Sequence, residues 1–417
     1  MNRKTILAKI LVLVVFVISF TSTFTIGYSY WDDSSKQDNV TASIGSWKNT
    51  ISTAQEFYDM VTNTNSLSTD EFYLANDIDF TGFTWNYDAT NYNVTFRGTL
   101  HGEGYTLSNL TINNDSSTYV YFGIFPRLES ATIENLNLSN VNLVLGTSGL
   151  SSSSINSGLI AGEVYGNTTT IANITITDSG VRGTGSTGTG GLVGYLSAST
   201  TILDVDNIEA TNLRVFSTGA NVGGILGSID ASGAQALIDD IDIEGEVYSA
   251  ASTSYTGGII GYINTNTVFN VNRAIVEMSS QNTLETNASY YLNYSEKYLG
   301  GFIGYNGSTS TDVVLSDVFF TGSLITEVAR NGIYVGTAIG RDKGSYTLTN
   351  AYYSMVEFID KQGNITYTAS GLRGVNATLV NSSSMPSLAW WNSFATTFYS
   401  ANSLWDQDTS GRLYLIR

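Results

Sequence analysis

The feature that most constrains the fold is a glycine-flanked apolar phrase that recurs along the chain. It reads GGLVGYL from Gly190, GGILGSI from Gly223, GGIIGYI from Gly257 and GGFIGYN from Gly300. The second glycines, Gly191, Gly224, Gly258 and Gly301, are separated by 33, 34 and 43 residues, and degenerate copies occur at Gly158 and Gly123. A unit of this length that recurs is the signature of a repeat protein. We therefore expect the four glycines to occupy equivalent positions in successive units.

Each repeat also contains a second apolar phrase, such as TIANITI from Thr170 and LIDDIDI from Leu237. Short runs of Val, Ile, Leu, Tyr and Phe between Gly, Ser, Thr and Asn clusters are typical of strands and turns. A unit of three short strands cannot bury its own apolar side chains, so successive units must coil on one another. The sequence therefore predicts an all-β solenoid, a parallel β-helix of about seven to nine coils.

Asn or Asp recurs in the second phrase, just before an apolar pair. Both residues tolerate the left-handed backbone conformation and bond locally to the main chain, which suits a sharp bend between two strands. In a coil such bends stack about 4.8 Å apart. The predicted bend residues are Asn109, Asn135, Asn173, Asp204, Asp240, Asn270, Asp317 and Asn350.

The first 29 residues differ from the rest of the chain. Arg3, Lys4 and Lys9 precede the apolar run ILVLVVFVISF, and a small-x-small signal ends at Ser29. This order predicts a secretory signal peptide over residues 1–29, with an uncleaved membrane anchor as the alternative. We expect the rest of the chain to be secreted or displayed on the cell surface.

Residues 30–70 are predicted to form a linker and a capping segment. Within it, Thr53–Asn63 has Phe57, Met60 and Val61 at helical spacing after a threonine that can cap the helix. One short helix is expected here.

Composition excludes several classes of function. The chain has a net charge of −18, only 18 Lys and Arg together, and no Cys. Because nucleic acids and anionic membranes are bound by clustered basic residues, we expect no nucleic-acid partner, and membrane contact only through the N-terminal segment. Without Cys the chain has neither disulfides, thiolate zinc sites nor a thiol nucleophile.

Several stretches resemble bacterial surface proteins that carry GLUG-motif repeats. They are FYLANDIDFTGFTW from Phe72, FRGTLHGEGYTLSNLTI from Phe96, GIFPRLESATIENLNLSNV from Gly123 and the GGLVGY-type phrases. The resemblance implies a pectate-lyase-like right-handed β-helix over residues 71–380 and an adhesin-like role. Residues 381–417 resemble the aromatic closing segment of such proteins, which implies that Trp390, Trp391 and Trp405 cover the last coil.

Acidic residues form a candidate metal site. In our alignment of the second phrases, Asp204 and Asp206 align with Asp240 and Asp242 in the next unit. Stacked carboxylates repel one another unless a cation or a proton intervenes, and Ca²⁺ prefers such oxygen ligands. A Ca²⁺ site is therefore one hypothesis, and a solvated acidic stripe is the alternative; no other cofactor is expected. Paired carboxylates also occur in glycosidases.

The single histidine, His101, is expected to be a solvated turn residue, because no second ligand or catalytic partner is spaced to join it. Arg182 and Arg214 are the basic residues nearest to the carboxylates, and neither has a recurring partner.

Tyrosines form a candidate contact surface. One column aligns Arg127, Gly162, Tyr195, Ser228, Tyr262, Tyr305 and Arg341, and a second aligns Phe125, Ile160, Val193, Leu226, Ile260, Ile303 and Ile339. Alternation places both columns on one face of the strand, and Leu192, Gly194 and Leu196 with their equivalents on the other. Which of the two faces is core stays open at this point. Whichever face lies outside forms a flat strip suited to a glycan or a protein, with Tyr195, Tyr262 and Tyr305 as candidate ligand-binding residues.

The interval between Gly258 and Gly301 is longer than its neighbours, which predicts that Met278–Tyr298 projects as a loop. Its Tyr290, Tyr291 and Tyr294 are further candidate contact residues.

The function expected from these features is a cell-surface or extracellular-matrix binding module that contacts a surface glycan or protein. The alternatives are a carbohydrate-active enzyme, either a polysaccharide lyase or a glycosidase, and a structural envelope or fibre subunit. The oligomeric state stays open.

Overall fold

The computed structural model shows short parallel strands stacked along one axis. It describes residues 49–63, 67–85, 93–114, 120–145, 155–184, 187–251, 253–278, 297–326, 333–360, 374–379, 405–407 and 413–415. The predicted signal segment, residues 1–29, lies outside this range, as do Tyr290, Tyr291, Tyr294, Trp390 and Trp391. No helix in the described part of the chain combines the length and apolar character needed to cross a bilayer.

Three parallel sheets, A, B and C, run along the stack, with strands numbered β1 to β33 in chain order. Sheet A has 16 strands: β1 (Asn49–Ile51), β2 (Glu71–Leu74), β3 (Ile78–Asp79), β5 (Thr99–His101), β6 (Thr106–Ser108), β7 (Thr111–Asn114), β10 (Thr132–Ser139), β11 (Asn142–Leu145), β14 (Thr168–Thr177), β15 (Gly180–Gly183), β18 (Ile202–Ser217), β21 (Gln235–Ser249), β24 (Val268–Met278), β27 (Asp312–Thr326), β30 (Ser345–Asp360) and β31 (Thr378–Leu379).

Sheet B has 8 strands: β4 (Thr95–Phe96), β9 (Phe125–Glu129), β13 (Ala161–Tyr165), β17 (Val193–Leu196), β20 (Leu226–Ile229), β23 (Ile260–Ile263), β26 (Ile303–Asn306) and β29 (Ile339–Asp342). Sheet C has 7 strands: β8 (Tyr121–Phe122), β12 (Asn156–Gly158), β16 (Gly188–Gly190), β19 (Asn221–Gly223), β22 (Ser254–Gly257), β25 (Lys297–Gly300) and β28 (Ile333–Gly336). Two further strands, β32 (Trp405–Gln407) and β33 (Leu413–Leu415), pair with each other in antiparallel fashion.

Each of the later coils contributes one strand to sheet C, one to sheet B and then one long strand to sheet A, whereas the coils β8–β11 and β12–β15 each contribute two strands to sheet A. β16, β17 and β18 form one coil, and β19, β20 and β21 form the next. The pairing is parallel, with Gly190 opposite Gly223 and Val193 opposite Leu226. Within the residues that the structure describes, the seven strands of sheet C mark seven coils. The predicted all-β parallel β-helix is confirmed.

The recurring glycines lie at equivalent positions on successive coils, as predicted. Gly190, Gly223, Gly257 and Gly300 pair in one row, so the glycine that follows each of them forms a second row. The upstream copies are shifted by one residue relative to our alignment, because Gly158 pairs with Gly190 and not with Gly191.

Close approach of backbones explains why these positions are glycine. A Cβ atom at Gly191 would collide with the carbonyl oxygen of Gly224 on the next coil. A Cβ atom at Gly194 would collide with the backbone nitrogen of Ser157 in sheet C. Glycine at these two positions therefore leaves room for the close approach of neighbouring backbones.

The predicted division of the strand into a core face and an outer face was wrong: Leu192 and Leu196 of one face are buried, and on the other face Val193 is buried whereas Tyr195 is partly exposed. The apolar column of sheet B is buried. Its members have no exposed area and are Phe125, Ala161, Val193, Leu226, Ile260, Ile303 and Ile339. The prediction placed Ile160 and Gly162 in the two columns, and this was wrong by one residue. Ala161 and Glu163 occupy those places, because the upstream phrase aligns on its first glycine.

Two rows of left-handed residues make the bends within sheet A. The first row has φ between 50° and 57° and contains Asn135, Asn173, Asn207, Asp240, Arg273, Asp317 and Asn350. The second contains Asn109, Asn140, Asp178 and Asn212, with φ between 50° and 56°. The prediction was wrong for Asp204 and Asn270, since Asn207 and Arg273 make those bends. Asn109 makes a bend but stacks with Asn140 in the second row, and not with Asn135 as predicted. The second phrases that include Asn207 and Arg273 each contain more than one Asn, Asp or Arg, so the sequence does not show which of them adopts the left-handed conformation.

Side-chain amides connect the bends from coil to coil. Asn173 Nδ2 donates to Asn135 Oδ1 at 3.0 Å, and Asn207 Nδ2 donates to Asn173 Oδ1 at 2.6 Å. In the second row, Asn212 Nδ2 donates to Asp178 Oδ1 at 2.6 Å. The predicted ladder therefore forms, and it satisfies amide groups that would otherwise face water at each bend.

A short helix covers the first coils. α1 (Ala54–Val61) begins after Thr53, whose hydroxyl accepts from the backbone of Glu56. Phe57, Met60 and Val61 are buried, as their spacing predicted.

The last described coil is less covered. Tyr346 of β30 is 47% exposed, whereas Val313, its partner in β27, is fully buried. The closing role of Trp390, Trp391 and Trp405 stays a prediction. β33, downstream of Trp405, contacts β21.

Candidate functional site

Tyrosines project outward on both sides of the corner between sheets C and B. In the later coils, one tyrosine lies two residues before the first glycine of the phrase, and another lies five residues after it. Because the coils are in register, these side chains form two adjacent columns. We define the tyrosine strip as Tyr255, Tyr262, Tyr298, Tyr305 and Tyr334.

The rings of the tyrosine strip stack within and between coils. Within a coil, the ring centroids of Tyr255 and Tyr262 are 4.7 Å apart, as are those of Tyr298 and Tyr305. Between coils, Tyr262 lies 5.4 Å from Tyr305, and Tyr298 lies 5.3 Å from Tyr334. Aromatic pairs at such distances add roughly 0.5–1.5 kcal/mol beyond their burial. The strip therefore rigidifies this corner.

Exposure differs along the tyrosine strip. Tyr298 and Tyr305 are buried at 1% and 5%, while Tyr255, Tyr262 and Tyr334 are partly exposed. The surface therefore presents ring edges and hydroxyl groups more than open ring faces. Burial, with the nearby ionisable groups, raises the pKa of Tyr262 to about 12, and its hydroxyl donates to Asn264 Oδ1 at 2.5 Å. This hydroxyl stays protonated at neutral pH.

A cation lies at one end of the tyrosine strip. The guanidinium of Arg341 lies 4.6 Å from the ring centroid of Tyr334 and 5.5 Å from that of Tyr298. Its Nη1 donates to the hydroxyl oxygen of Tyr298 at 2.9 Å. Lys343 Nζ lies 5.4 Å from the Tyr305 centroid. Both cations therefore lie close to the aromatic rings at this end of the strip.

A second cation–aromatic group lies on the first coils of the same columns. Arg127 lies 3.9 Å from the Tyr165 centroid and 4.9 Å from the Tyr121 centroid. Its Nε pairs with Glu163 Oε2 at 2.6 Å. Glu163 is only 4% exposed, so this ion pair is largely withdrawn from water.

The structure places the three predicted contact tyrosines of sheet B in one outer column. Tyr262 and Tyr305 stack on each other, whereas Tyr195 is separated from Tyr262 by Ser228. Tyr290, Tyr291 and Tyr294 lie outside the described residues.

Sequence reasoning missed the sheet C half of the surface. Tyr255, Tyr298 and Tyr334 each lie two residues before a glycine, a recurrence visible in the chain. The repeat phrase was taken to begin at the glycine, so this signal fell outside it. Glu163 was missed because of the one-residue shift in the upstream alignment.

The acidic residues do not align as predicted. Asp204 pairs with Leu237 and Asp206 with Asp239, so Asp240 and Asp242 do not lie opposite them. Asp242 is aligned with Glu209 and is buried at 1%. The predicted four-carboxylate arrangement is therefore wrong. The offset between these coils is 33 residues, whereas our alignment used 36.

The guanidinium of Arg273 offsets the repulsion among these carboxylates. Arg273 Nε lies 2.5 Å from Asp240 Oδ1, and its Nη2 lies 2.8 Å from Asp239 Oδ1. Burial, followed by the charges of neighbouring aspartates, raises the pKa of Asp206. Burial also raises the pKa of Asp239. Arg273 was not among the basic residues considered from sequence.

No group of three or more His, Cys, Asp or Glu within the described ranges is arranged to hold a metal ion. The Ca²⁺ hypothesis therefore stays a prediction that this geometry does not support.

His101 belongs to a strand and not to a turn, so that expectation was wrong. Its ring stacks on Tyr73 at 4.4 Å, and its Nδ1 lies 2.6 Å from Glu134 Oε1. These three residues pair across β2, β5 and β10. The His101 ring therefore contacts the side chains at the paired positions of both neighbouring strands.

Comparison with known proteins yields two similarities. No model of a protein family matches the chain. Halomucin from Haloquadratum walsbyi is 30% identical over 146 residues, which are 32% of this chain and 1% of halomucin. A crystal structure from Bacteroides ovatus, of a protein assigned as an immunoglobulin A1 protease, has a TM-score of 0.46 at 16% identity. That similarity covers 88% of this chain and 91% of the other. Neither similarity shows what this chain binds.

Proposed function

We propose that the protein is an exported cell-surface or matrix binding module that contacts a glycan or a protein through the tyrosine strip. The observation that carries this proposal is the continuous stack of five tyrosines, three of them partly exposed, with Arg341 on its end. Tyr and Arg are enriched where proteins bind partners, because they combine apolar area with hydrogen-bonding groups. A rigid strip loses little conformational entropy when it binds.

Export is part of the proposal and is supported by the signal-like residues 1–29. The GLUG-type resemblance supports an adhesin-like role. The similarity to halomucin, a mucin by name, agrees with an extracellular role, although it spans 1% of that protein. Because the strip is built by repeats, its length can grow with the number of coils, which suits attachment to an extended partner.

The proposal is tested by screening the protein against a glycan array and a panel of extracellular-matrix proteins. The variant Tyr262→Ala with Tyr334→Ala removes both partly exposed ends of the strip. Tyr248→Ala is the matched control, because Tyr248 stacks on Phe216 at 5.3 Å on sheet A, away from the strip. We expect at least tenfold weaker binding for the double variant and unchanged binding for the control. Equal loss in both variants, or none in either, contradicts the proposal.

A second candidate function is a carbohydrate-active enzyme. The observation that favours it is the raised pKa of Asp206 and Asp239 beside Arg273, since perturbed carboxylates are typical of catalytic sites. Release of reducing sugar from a bound polysaccharide, abolished by Asp206→Asn, would support the enzyme. Binding without release supports the binding module.

A further inference from the structure

A row of residues on the outer face of sheet A lies just beyond the left-handed bends. Each member lies two residues after a bend residue of the first row. Side chains alternate between the two faces of a strand, so these positions point away from the core, in which the neighbours Ile241 and Ile243 are fully buried. The outer row, as we define it, consists of Thr175, Glu209, Asp242, Ile275, Phe319 and Tyr352, which pair in this order across six neighbouring strands.

The middle of the outer row is buried although it faces away from the core. Asp242, Ile275 and Phe319 are each 1% exposed, whereas the other members are partly exposed. Ile275 and Phe319 are buried without belonging to the hydrophobic cluster that forms the core. An outward side chain loses this much exposure when another part of the chain lies over it. The outer row is therefore covered on β21, β24 and β27.

The C-terminal hairpin lies against this part of sheet A. β33 contacts β21. Both edges of β21 are paired, one with β18 and the other with β24, and its inward side chains, such as Ile241, are buried in the core. The outer face is the side of β21 that remains. We therefore place β33 on the outer face of the strand that contains Asp242.

The position of β33 also shows where the chain goes after the last described coil. β31 pairs with β30 on that coil, whereas β33 contacts β21, three coils earlier. Three coils correspond to about 14 Å along the axis of the solenoid. Tyr346, an inward position of the last described coil, is 47% exposed. The hairpin thus lies where the outer row is covered, and not over the end of the solenoid.

Charge favours the hairpin as the cover of this face. Glu209 pairs with Asp242 in the outer row, and Glu244 lies on the same face of β21. Residues 411–417, which include β33, contain Arg412 and Arg417 and no acidic residue, in a chain of net charge −18. The C-terminal residues therefore carry charge opposite to that of the face on which β33 lies, which lowers the repulsion among its carboxylates.

We propose that the hairpin β32–β33 is a strap docked on the outer face of sheet A, where it covers Asp242, Ile275 and Phe319 and fastens β21, β24 and β27 together. In a solenoid each coil contacts only its neighbours, so a segment that spans three coils adds contacts that the repeat itself cannot supply. Trp405, which was expected to close the last coil, is then part of the strap. The strap lies on sheet A and the tyrosine strip at the corner of sheets C and B, so this inference is independent of the proposed function.

Site-directed cross-linking of the full-length protein tests the strap, because the chain contains no natural Cys. The pair Glu244→Cys with Tyr414→Cys places one thiol on the outer face of β21 and one in β33. The pair Tyr346→Cys with Tyr414→Cys is the matched control, since a hairpin over the last coil would join that pair instead. With a short bismaleimide we expect the first pair to be joined within one chain at least about fivefold more than the control pair.

Two cross-linking results overturn the strap. One is the reverse preference, in which the control pair is joined and the first pair is not. The other is a link of the first pair between two chains, seen as a dimer on a denaturing gel and lost on dilution, which assigns the surface to a second copy.

A second measurement does not depend on cross-linking. Leu413→Pro with Tyr414→Pro removes two successive backbone N–H groups of β33, which disrupts its pairing with β32. We expect hydroxyl-radical oxidation of Phe319 to rise at least about threefold in this variant. Phe302 is the internal control, because it is fully buried in the core of the same coil and should keep its oxidation rate. Unchanged oxidation of Phe319 would show that the hairpin is not its cover and would overturn the proposal.

Discussion

Arg273 donates to both carboxylate oxygens of Asp240, with Nε at 2.5 Å from Oδ1 and Nη2 at 2.8 Å from Oδ2. Other coils have Asn or Asp at this left-handed bend, and Asn207 and Asp317 flank the pair in the same row. The ladder of amides is thus replaced, on one coil, by an ion pair. This pair also reaches Asp239, and it supplies the positive charge that a Ca²⁺ ion was predicted to bring.

Arg273→Ala is expected to lower the free energy of unfolding by about 1 kcal/mol at neutral pH. The loss arises because Asp239 and Asp240 then have no cation, and it should shrink in acid as the carboxylates are protonated. Urea denaturation at neutral pH and in acid measures this loss of stability. Arg214→Ala is the control, since the Arg214 Nε contact is with Asn212. A loss of the same size in acid would contradict the electrostatic explanation.

Asp206→Asn is expected to raise stability at neutral pH. The pKa of Asp206 is raised above its ordinary value of 3.8 in the folded protein. The folded state therefore binds the proton more tightly than the unfolded state, and the wild type loses stability as pH rises from 3.8 through the raised pKa. The variant does not have this loss, so the two proteins should differ at neutral pH and converge well below pH 3.8.

Asp79→Asn provides the control of opposite sign, because the hydrogen bond from Asn109 lowers the pKa of Asp79. That variant should be less stable than the wild type at neutral pH, and this difference should also vanish in acid. Thermal unfolding across pH measures both variants. If both substitutions change the stability at neutral pH in the same direction, the opposite pKa shifts assigned to Asp206 and Asp79 are refuted.

The left-handed bends predict different costs for two substitutions of Asn207. Asn207→Gly loses the amide bond to Asn173, about 1 kcal/mol. Asn207→Ala loses the same bond and must also hold a Cβ residue at φ 57°, which costs roughly 1–2 kcal/mol more. Denaturant midpoints of the two variants measure the difference. Equal midpoints would mean that the backbone conformation here differs from the one described.

Close stacking of coils predicts that Gly258→Ala is severely destabilising. The new Cβ atom would collide with the carbonyl oxygen of Gly301 and lie 2.5 Å from Val276 Cγ1. Gly104→Ala is the comparison, because nothing lies within 4 Å of a Cβ atom there although φ is 77°. We expect a loss of about 1–2 kcal/mol at Gly104 and more at Gly258. Melting temperatures in the reverse order would contradict the stacking.

The repeat made the coiled fold predictable from the sequence. The pairing of individual residues between neighbouring coils was not predictable in the same way. Gly191 indicated the stacking, because a Cβ atom there would collide with the carbonyl oxygen of Gly224 on the next coil. Gly158 misled the alignment by one residue, since the earlier coil has Leu159 where later coils have a second glycine. Asp204 and Asn207 are both compatible with a bend, and the choice depends on pairing across coils that sequence does not show.

The candidate site was predictable in part for the same reason. Tyr262 and Tyr305 recur at the repeat spacing and were found, but their stacking partners Tyr255 and Tyr298 lie on another sheet. The corner that brings these columns together is a three-dimensional feature. Arg341 is likewise placed over Tyr334 by folding alone.

Hydroxyl-radical footprinting read by mass spectrometry tests the tyrosine strip as the contact surface most directly. The protein is oxidised with and without the ligand retained from the array. If the strip is the contact surface, Tyr262 and Tyr334 become protected on binding, while Tyr248 and the exposed Tyr346 keep their oxidation rates. Protection of Tyr248 or Tyr346 with Tyr262 and Tyr334 unchanged would place binding elsewhere and contradict it.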